Sequence, residues 1–378
     1  MSKNSNYPIR VLHVVGAMDR GGAETFIMNI YRKINRELIQ FDFAVSTEEE
    51  CYFDKEIKEL GGRIFHHPNP THEGLIKFSK KFNETLSGNT FKVIHSHVHH
   101  FSGLVLLLAN MHKVPVRISH SHSTSDGYRE SYKRKIYRNI TRSLITKFST
   151  DMIGCSGPAL EALYGEKNNK DKRVKLINNG IELNLFNSEI STPLKEELNL
   201  PLDSVLIGHV GRFSFPKNHK YLIKIFEKLL IKLPSAELIL IGKGELENEI
   251  KEIVSTKGFG EKVHFLGLRN DIPNLMKQID LQIFPSVYEG LPVVLVESQA
   301  AGLKSIISEN ITKEIDLNMG LIEFLPIEEA SINSWVDGIL KALEKEKMSW
   351  EDRKYIMKNS GYDILDVIKS LEEIYFKK

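Results

Sequence analysis

Short runs of apolar, often β-branched residues alternate along the chain with longer stretches whose apolar positions recur every three or four residues. The first pattern is that of a buried strand, the second that of a helix with one apolar stripe. In the first half the strand-like runs cover residues 9–15, 41–45, 63–67, 93–97, 116–119, 152–155 and 175–178. A polar stretch over 187–201 interrupts the pattern, which restarts with runs at 206–210, 237–241, 263–266, 281–284, 304–307 and 321–325. Strands separated by helices pair in parallel, so the sequence predicts an α/β protein with two parallel sheets in tandem. The domain boundaries are placed at 1–188 and 189–362. Two such sheets imply a cleft, with ligands beyond the carboxyl ends of the strands. The last helical pattern, 364–376, aligns Leu365, Ile368, Leu371 and Tyr375 on one face that needs a partner surface.

The end of the 281–284 run carries the densest chemistry. Pro285 to Gly290 reads as a loop, and a helix follows over 292–301 with Pro292 in its first turn. The N–H groups around Gly290 and Leu291 face whatever lies beyond the strand, and such donors suit an anion or sugar hydroxyls. Glu289 stands in the loop and Glu297 about two turns down the helix. The pair is open to two readings, hydroxyl acceptors in one crevice or solvated carboxylates. Further glycine turns end strands of this half. At 207–218 a strand ends at Gly211 and presents Arg212 and Lys217, a guanidinium fork and a point charge that together suit a diphosphate. Gly242-Lys243-Gly244 and Gly267-Leu268 end two more. No Asp-x-Asp pair occurs in the sequence, which argues against a divalent ion on a diphosphate; neither a metal nor a cofactor is expected.

In the first half, Gly21-Gly22 opens the helix after the first strand, where the missing Cβ atoms allow a phosphate or substrate to approach closely. A plain tight turn is the other reading. Histidines cluster here: His95, His97, His99 and His100 follow one strand, and His120 and His122 the next. The run from His95 to His100 approximates an H-x-H-x-D-H zinc pattern, but His99 stands where the carboxylate belongs. Alternation sends His95 and His97 to one face, where a hydrogen-bonded core histidine would account for either. His122, or His120 in its place, can put an imidazole against a reacting centre. Residues 129–148 read as an amphipathic helix, with Tyr132, Ile136, Ile140, Leu144 and Phe148 at every fourth position and seven cations against the single acid Glu130. Such a helix either meets an anionic membrane surface or packs its apolar stripe and leaves the cations solvated.

The chain has 378 residues, 41% of them hydrophobic, and a net charge of +2. That suffices for two full cores and gives no nucleic-acid signature. Only Cys51 and Cys155 are present, and no leader pattern stands at residues 1–8. No apolar run nears the ~18 residues of a spanning helix. The expected location is cytoplasmic and reducing.

Taken in order, Gly21-Gly22-Ala23-Glu24, Asn178-Asn179-Gly180-Ile181, Gly211-Arg212 with Lys217, Gly242-Lys243-Gly244, and Glu289-Gly290-Leu291-Pro292 with Glu297 resemble the motifs of the retaining glycosyltransferases of family 4. Residues 305–318, with Thr312-Lys313-Glu314-Ile315, look more like the bacterial branch that builds exopolysaccharide or capsule. The resemblance implies the GT-B fold, two Rossmann-like domains whose parallel sheets face a central cleft, with residues 363–378 packing back onto the first domain. It implies transfer of a hexose or N-acetylhexosamine from a nucleotide-sugar, UDP-linked by preference, to a growing lipid-linked polysaccharide at the inner face of the membrane. Arg212 and Lys217 would neutralise the diphosphate, Glu297 would hold the ribose, and Glu289 with the N–H groups of Gly290 and Leu291 would hold the sugar. Leu268 would meet the base, and Gly22, Gly211 and Gly242 would approach the donor through backbone. His122 would lie near the anomeric carbon, with His97 and His120 on the acceptor side. A nucleotide-sugar epimerase on the same fold and a non-catalytic nucleotide-sugar or anionic-lipid binding protein are the alternatives.

Overall fold

A computed structural model describes residues 8–124, 131–166, 170–344 and 348–377. The chain divides into two compact units, Met1–Gly180 with Asp363–Lys378, and Ile181–Tyr362. In the first unit β1 (Ile9–Val14), β2 (Ile39–Val45), β3 (Ile64–His66), β4 (Val93–Ser96), β5 (Val116–Ser121), β6 (Asp151–Gly154) and β7 (Val174–Leu176) form one sheet in the order β3-β2-β1-β4-β5-β6-β7. Every neighbouring pair is parallel. The order therefore reverses between β1 and β4. The sheet face carrying Val11, Phe41, Phe43, Ile118 and Ile153 shares a core with the helices Gly22–Lys33 and Ile364–Tyr375. The last helix buries Ile364, Val367, Ile368, Leu371, Ile374 and Tyr375, a stripe at spacings of three and four. Leu365 falls off that stripe and is 59% exposed, contrary to the sequence expectation.

The second unit is built the same way from β8 (Val205–Val210), β9 (Ala236–Ile241), β10 (Val263–Gly267), β11 (Leu281–Phe284), β12 (Lys304–Ser308) and β13 (Ile322–Leu325), in the order β10-β9-β8-β11-β12-β13 and again all parallel. Here the reversal lies between β8 and β11. Both faces of the sheet are covered, so successive residues of one strand enter different cores: Leu238 and Leu240 one, Ile239 and Ile241 the other. That double burial is why these strands read as continuous apolar runs.

The basic helix runs from Tyr132 to Phe148, capped by the Ser131 side chain, which accepts from Arg134 N–H. Arg129 and Glu130 of the expected stretch lie outside the described residues. The helix buries Thr141 and Ile145, whereas Tyr132, Ile136 and Ile140 are exposed. Its packing is set instead by Gly103 of the helix Ser102–Met111, where a Cβ would stand 2.7 Å from Thr141 O. The reading in which the apolar stripe packs inward thus fails for its first three members. Among the described residues no helix is long and apolar enough to cross a membrane.

Candidate functional site

Where a parallel sheet reverses its strand order, the loops on either side diverge and leave a crevice beyond the carboxyl ends. In the second unit those loops carry Lys217 and Glu289. After β8, Phe215–Lys217 makes one turn of 3₁₀ helix, Asn218 takes a left-handed φ of 55°, and the helix His219–Lys232 begins. Asn218 Nδ2 donates to Pro285 O at 3.1 Å and Val287 N–H donates to Pro216 O at 2.8 Å, which ties the loop after β8 to the loop after β11. Lys217 Nζ is thereby held 2.7 Å from Glu289 Oε1, with both side chains mostly buried, and 4.5 Å from the centroid of the Phe284 ring. Gly211 makes room for this lysine and for the His209 ring, since a Cβ there would stand 3.2 Å from Lys217 Cδ and Cε and 3.0 Å from His209 Nε2.

On its other side the loop after β8 pairs with the loop after β9. Gly211 N–H donates to Ile241 O at 2.9 Å and Phe213 N–H to Lys243 O at 3.1 Å. Gly242 has a φ of +142°, and its Cβ would lie 2.1 Å from Gly211 O; a Cβ on Gly244 would lie 2.3 Å from Phe213 O. The close approach these glycines permit is to a neighbouring loop of the protein itself. Arg212 stands apart from Lys217. Its side chain is 74% exposed and pairs with Glu245 at 3.4 Å, so the two cations hold different carboxylates. Leu268 follows β10 and is half-exposed.

The helix after β11 is Val293–Ala301, with Pro292 in the capping position and no side-chain cap. Leu291 is buried and Gly290 partly so. Glu297, in the second turn, is partly exposed at its surface, yet burial alone pushes its carboxyl up to about 7. It is therefore poised between the acid and the carboxylate near neutral pH. Two buried histidines that the sequence reading did not single out complete this corner. His209 Nδ1 lies 2.8 Å from Ile283 O, and its ring is 4.7 Å from that of His219, which stacks on Phe213 at 4.2 Å. Burial drives both toward the neutral form, His209 well below the usual range and His219 to about 4.

In the first unit the carboxyl ends of β1, β4 and β5 gather histidines. His97 Nδ1 lies 2.8 Å from His122 Nε2, and the rings of His120 and His122 stack at 4.0 Å, so His97, His120 and His122 do come together. His120 is fully buried while His122 is partly exposed. His13 and His95, the first not anticipated here, complete the group: His13 Nδ1 is 3.0 Å from His97 Nε2, and His95 Nε2 is 3.1 Å from His120 Nδ1. His100 leaves the group, its Nδ1 lying 3.2 Å from Thr141 Oγ1. Burial is the main cause holding His13 and His122 down at about 3, and His95, His97 and His120 well below the usual range. Gly22 is the first residue of the helix Gly22–Lys33, with open space where its Cβ would be.

Residues 20–185 match the family model described as Glycosyltransferase Family 4, and residues 191–360 that described as Glycosyl transferases group 1. EpsF of Bacillus subtilis (strain 168) is 37% identical over 97% of this chain and 96% of its own. The capsular polysaccharide biosynthesis glycosyltransferase CapH of Staphylococcus aureus is 28% identical over 98% of this chain and 99% of its own. The UDP-Gal:alpha-D-GlcNAc-diphosphoundecaprenol alpha-1,3-galactosyltransferase of Escherichia coli is 26% identical over 99% of this chain and 98% of its own. Among solved structures, Anabaena HepE in complex with UDP and glucose matches with a TM-score of 0.75 at 17% identity, over 97% of this chain and 98% of its own.

Proposed function

The chain belongs to glycosyltransferase family 4, and from that premise we propose that it moves a hexose or N-acetylhexosamine, with retention of configuration, from a UDP-sugar to a lipid-linked saccharide in polysaccharide biosynthesis. The observation that carries this reading is the Lys217–Glu289 pair at the order reversal of the second sheet. The donor and acceptor classes draw support from relatives: the Escherichia coli enzyme is named for UDP-Gal and a diphosphoundecaprenol-linked acceptor, and HepE was solved with UDP and glucose.

In this reading Lys217 and Arg212 neutralise the donor diphosphate, Glu289 and the N–H groups of Gly290 and Leu291 hold the sugar hydroxyls, and Glu297 holds the ribose hydroxyls. Leu268 meets the base. Gly211 lets Lys217 lie close over the strand end, Gly242 shapes the adjoining loop, and Gly22 presents backbone donors of the first unit. His122 lies near the anomeric carbon, with His97 and His120 beside it on the acceptor side. The bond between the anomeric carbon and the phosphate oxygen breaks, the acceptor oxygen bonds to the same face of that carbon, and its proton leaves on the departing phosphate. Negative charge grows on that phosphate, where fixed cations and a helix N-terminus stabilise it most. Lys217 and Arg212 take the part a divalent ion plays elsewhere, so turnover continues in chelator. Exposed Tyr132, Ile136 and Ile140 among the cations of their helix support contact with an anionic membrane surface at its cytoplasmic face, where a lipid-linked acceptor would be met.

Thermal melting against a series of nucleotide-sugars tests the donor class. A UDP-sugar at 100 times its Kd stabilises the fold by ~2.7 kcal/mol. No shift with any uridine or guanosine donor overturns the reading.

A further inference from the structure

The five histidines of the first unit form two stacked layers, and the sheet dictates why. His13 and His95 are register partners on β1 and β4, and His95 is the register partner of Ile118 on β5. Side chains two residues apart leave a strand on the same face. His97 therefore follows His95, and His120 and His122 follow Ile118, onto one face. In the first layer His13, His97 and His122 join through the 3.0 and 2.8 Å contacts already given, with ring centroids 5.2 and 5.1 Å apart at 20° and 28°. That is the spacing of imidazoles bonded edge to edge in nearly one plane. In the second layer the Tyr375 hydroxyl of the C-terminal helix lies 2.9 Å from His95 Nδ1, and the rings of His95 and His120 are 5.3 Å apart at 9°. The layers meet face to face, His95 on His97 at 4.2 Å and His120 on His122 at 4.0 Å.

Ring nitrogens of His97, His120 and His122, and of His13, His95 and His97, fall within 4.8 Å of one another, so a metal has to be weighed. Bonds of ~2.0–2.1 Å to a tetrahedral zinc set two nitrogens about 3.3 Å apart. The separations of 2.8 and 3.0 Å are instead those of N–H···N hydrogen bonds. Moreover, a ring nitrogen's lone pair lies in the ring plane, and rings stacked face to face aim theirs side by side, not at one point.

A neutral imidazole carries one N–H and one lone pair, so each chain of bonds has two polarities. Burial keeps the five rings neutral and holds the Tyr375 phenol protonated. In the second layer one polarity wins. Either polarity leaves one buried proton over, on His120 Nε2 or on the hydroxyl, but a phenol is a better donor than a neutral imidazole and an imidazole nitrogen a better acceptor than a phenol, so donation from Tyr375 to His95 Nδ1 makes the stronger bond. His95 then donates from Nε2 to His120 Nδ1, and His120 Nε2, which has no partner among the described residues, carries the remaining N–H. The first layer has no such anchor. Its end atoms, His13 Nε2 and His122 Nδ1, make no hydrogen bond among the described residues, so both polarities stay open to it.

We propose that Tyr375 is a positioning residue for the transfer reaction: through His95 it fixes the tautomer and orientation of the buried His120, whose ring backs the partly exposed His122 at 4.0 Å. This rests on the reading of His120 and His122 as substrate-side groups. The test is long-range ¹H–¹⁵N correlation on the full chain labelled with ¹⁵N-histidine, the His120 signals being assigned with His120→Gln. In the wild type His95 and His120 are each expected as a single neutral tautomer protonated at Nε2. In Tyr375→Phe, which removes one hydroxyl from the core, both are expected to become mixtures. The KM for the UDP-sugar is expected to stay within about twofold and kcat to fall about tenfold, a fraction of the ~10²-fold or more that an acid–base group itself contributes. A wild-type His120 that is cationic or protonated at Nδ1 overturns the proposal, as does a Tyr375→Phe protein with unchanged tautomers and kcat, or one equivalent of zinc in the purified chain. If the wild type transfers no sugar from any donor, the functional reading fails, and the tautomers alone decide this one.

Discussion

Lys217 and Glu289 meet at 2.7 Å across the one place where the second sheet changes direction, each supplied by the loop leaving a different central strand. The pair is mostly buried, and the lysine also rests on the Phe284 ring. A cation so placed is held before any ligand arrives, which is the condition for stabilising charge as it develops. Lys217→Ala is expected to lower kcat/KM by an amount equivalent to ~2–4 kcal/mol of transition-state stabilisation. Arg212→Ala, at an exposed position, is expected to cost less. Steady-state kinetics on the two single variants decide this, and equal losses would argue against the ranking.

Gly211 and Gly242 separate a functional from a structural demand for glycine. Alanine at Gly211 would press on the buried His209 Nε2 at 3.0 Å and on Lys217 Cδ and Cε at 3.2 Å, side-chain contacts that a shift of a few tenths of an ångström relieves, so Gly211→Ala is expected to weaken donor binding more than it lowers the melting temperature. Alanine at Gly242 would meet a backbone oxygen at 2.1 Å with φ at +142°. Gly242→Ala is expected to cost on the order of 3 kcal/mol of stability. Calorimetric melting and donor titration on both variants would show the opposite ordering if the glycines have exchanged roles.

Glu297 offers a pH test. Its carboxyl titrates at about 7, raised by burial above its ordinary value, so the carboxylate proposed to accept ribose hydroxyls forms only as the pH rises through that point. Affinity for a UDP-sugar is expected to increase up to about tenfold from pH 6 to pH 8, following the ionised fraction. In Glu297→Gln it should be flat. Isothermal titration at the two pH values reads this, and a wild-type affinity that is flat or falls with pH would remove Glu297 from the ribose.

The neutral histidines make a separate demand on stability. Below pH 6.5 the unfolded chain protonates imidazoles that the folded protein keeps neutral, so the fold loses stability as pH falls from about 6.5 toward 3 and is untouched by this effect above 6.5. Each buried imidazole contributes on the order of 1.4 kcal/mol per pH unit in that window. Asp42 opposes part of the effect at His13. Urea unfolding at pH 7.5, 6 and 5 is expected to show a steep loss between the last two, and equal stability at all three would contradict the buried, neutral assignment.

The exposed stripe of the basic helix predicts binding to a lipid surface. The intact chain is expected to sediment with phosphatidylglycerol vesicles at low salt and to be released as salt screens the cations. Ile136→Ser with Ile140→Ser should weaken binding without lowering the melting temperature, because neither side chain is buried. Equal sedimentation of wild type and double variant would separate the apolar stripe from the membrane.

The strand pattern was legible because a strand of a parallel sheet is buried on both faces and announces itself as an apolar run. It failed where burial is polar. The run 116–119 continues in the structure to Ser121, and the added residues are His120, bonded to His95, and Ser121, whose hydroxyl donates to Ala159 O. Hydrophobicity does not register such partners. Residue types also pointed to Lys217 and Glu289 singly, but their pairing depends on which strands flank the reversal, which is a matter of topology. The sequence marked Gly242 as unusual without telling whether a ligand or a neighbouring loop needs the space. Tyr375 was readable as a member of an apolar stripe; its hydroxyl partner, His95, lies 280 residues earlier.

Ile181 N–H donates to Tyr362 O at 2.9 Å, and at this bond the polypeptide leaves the first unit and later returns to it. The second unit is one uninterrupted segment, whereas the first needs Asp363–Lys378 to complete its core. Synthesis from the amino end therefore delivers the whole of the second unit before the first has all its parts. Until Ile364, Leu371 and Tyr375 emerge from the ribosome, Phe41, Phe43 and Ile118 lack part of their cover, and His95 lacks the hydroxyl that orients it. The unit begun first is the one finished last, and a chain stopped short of its final helix would keep a second unit able to fold beside a first unit that cannot close.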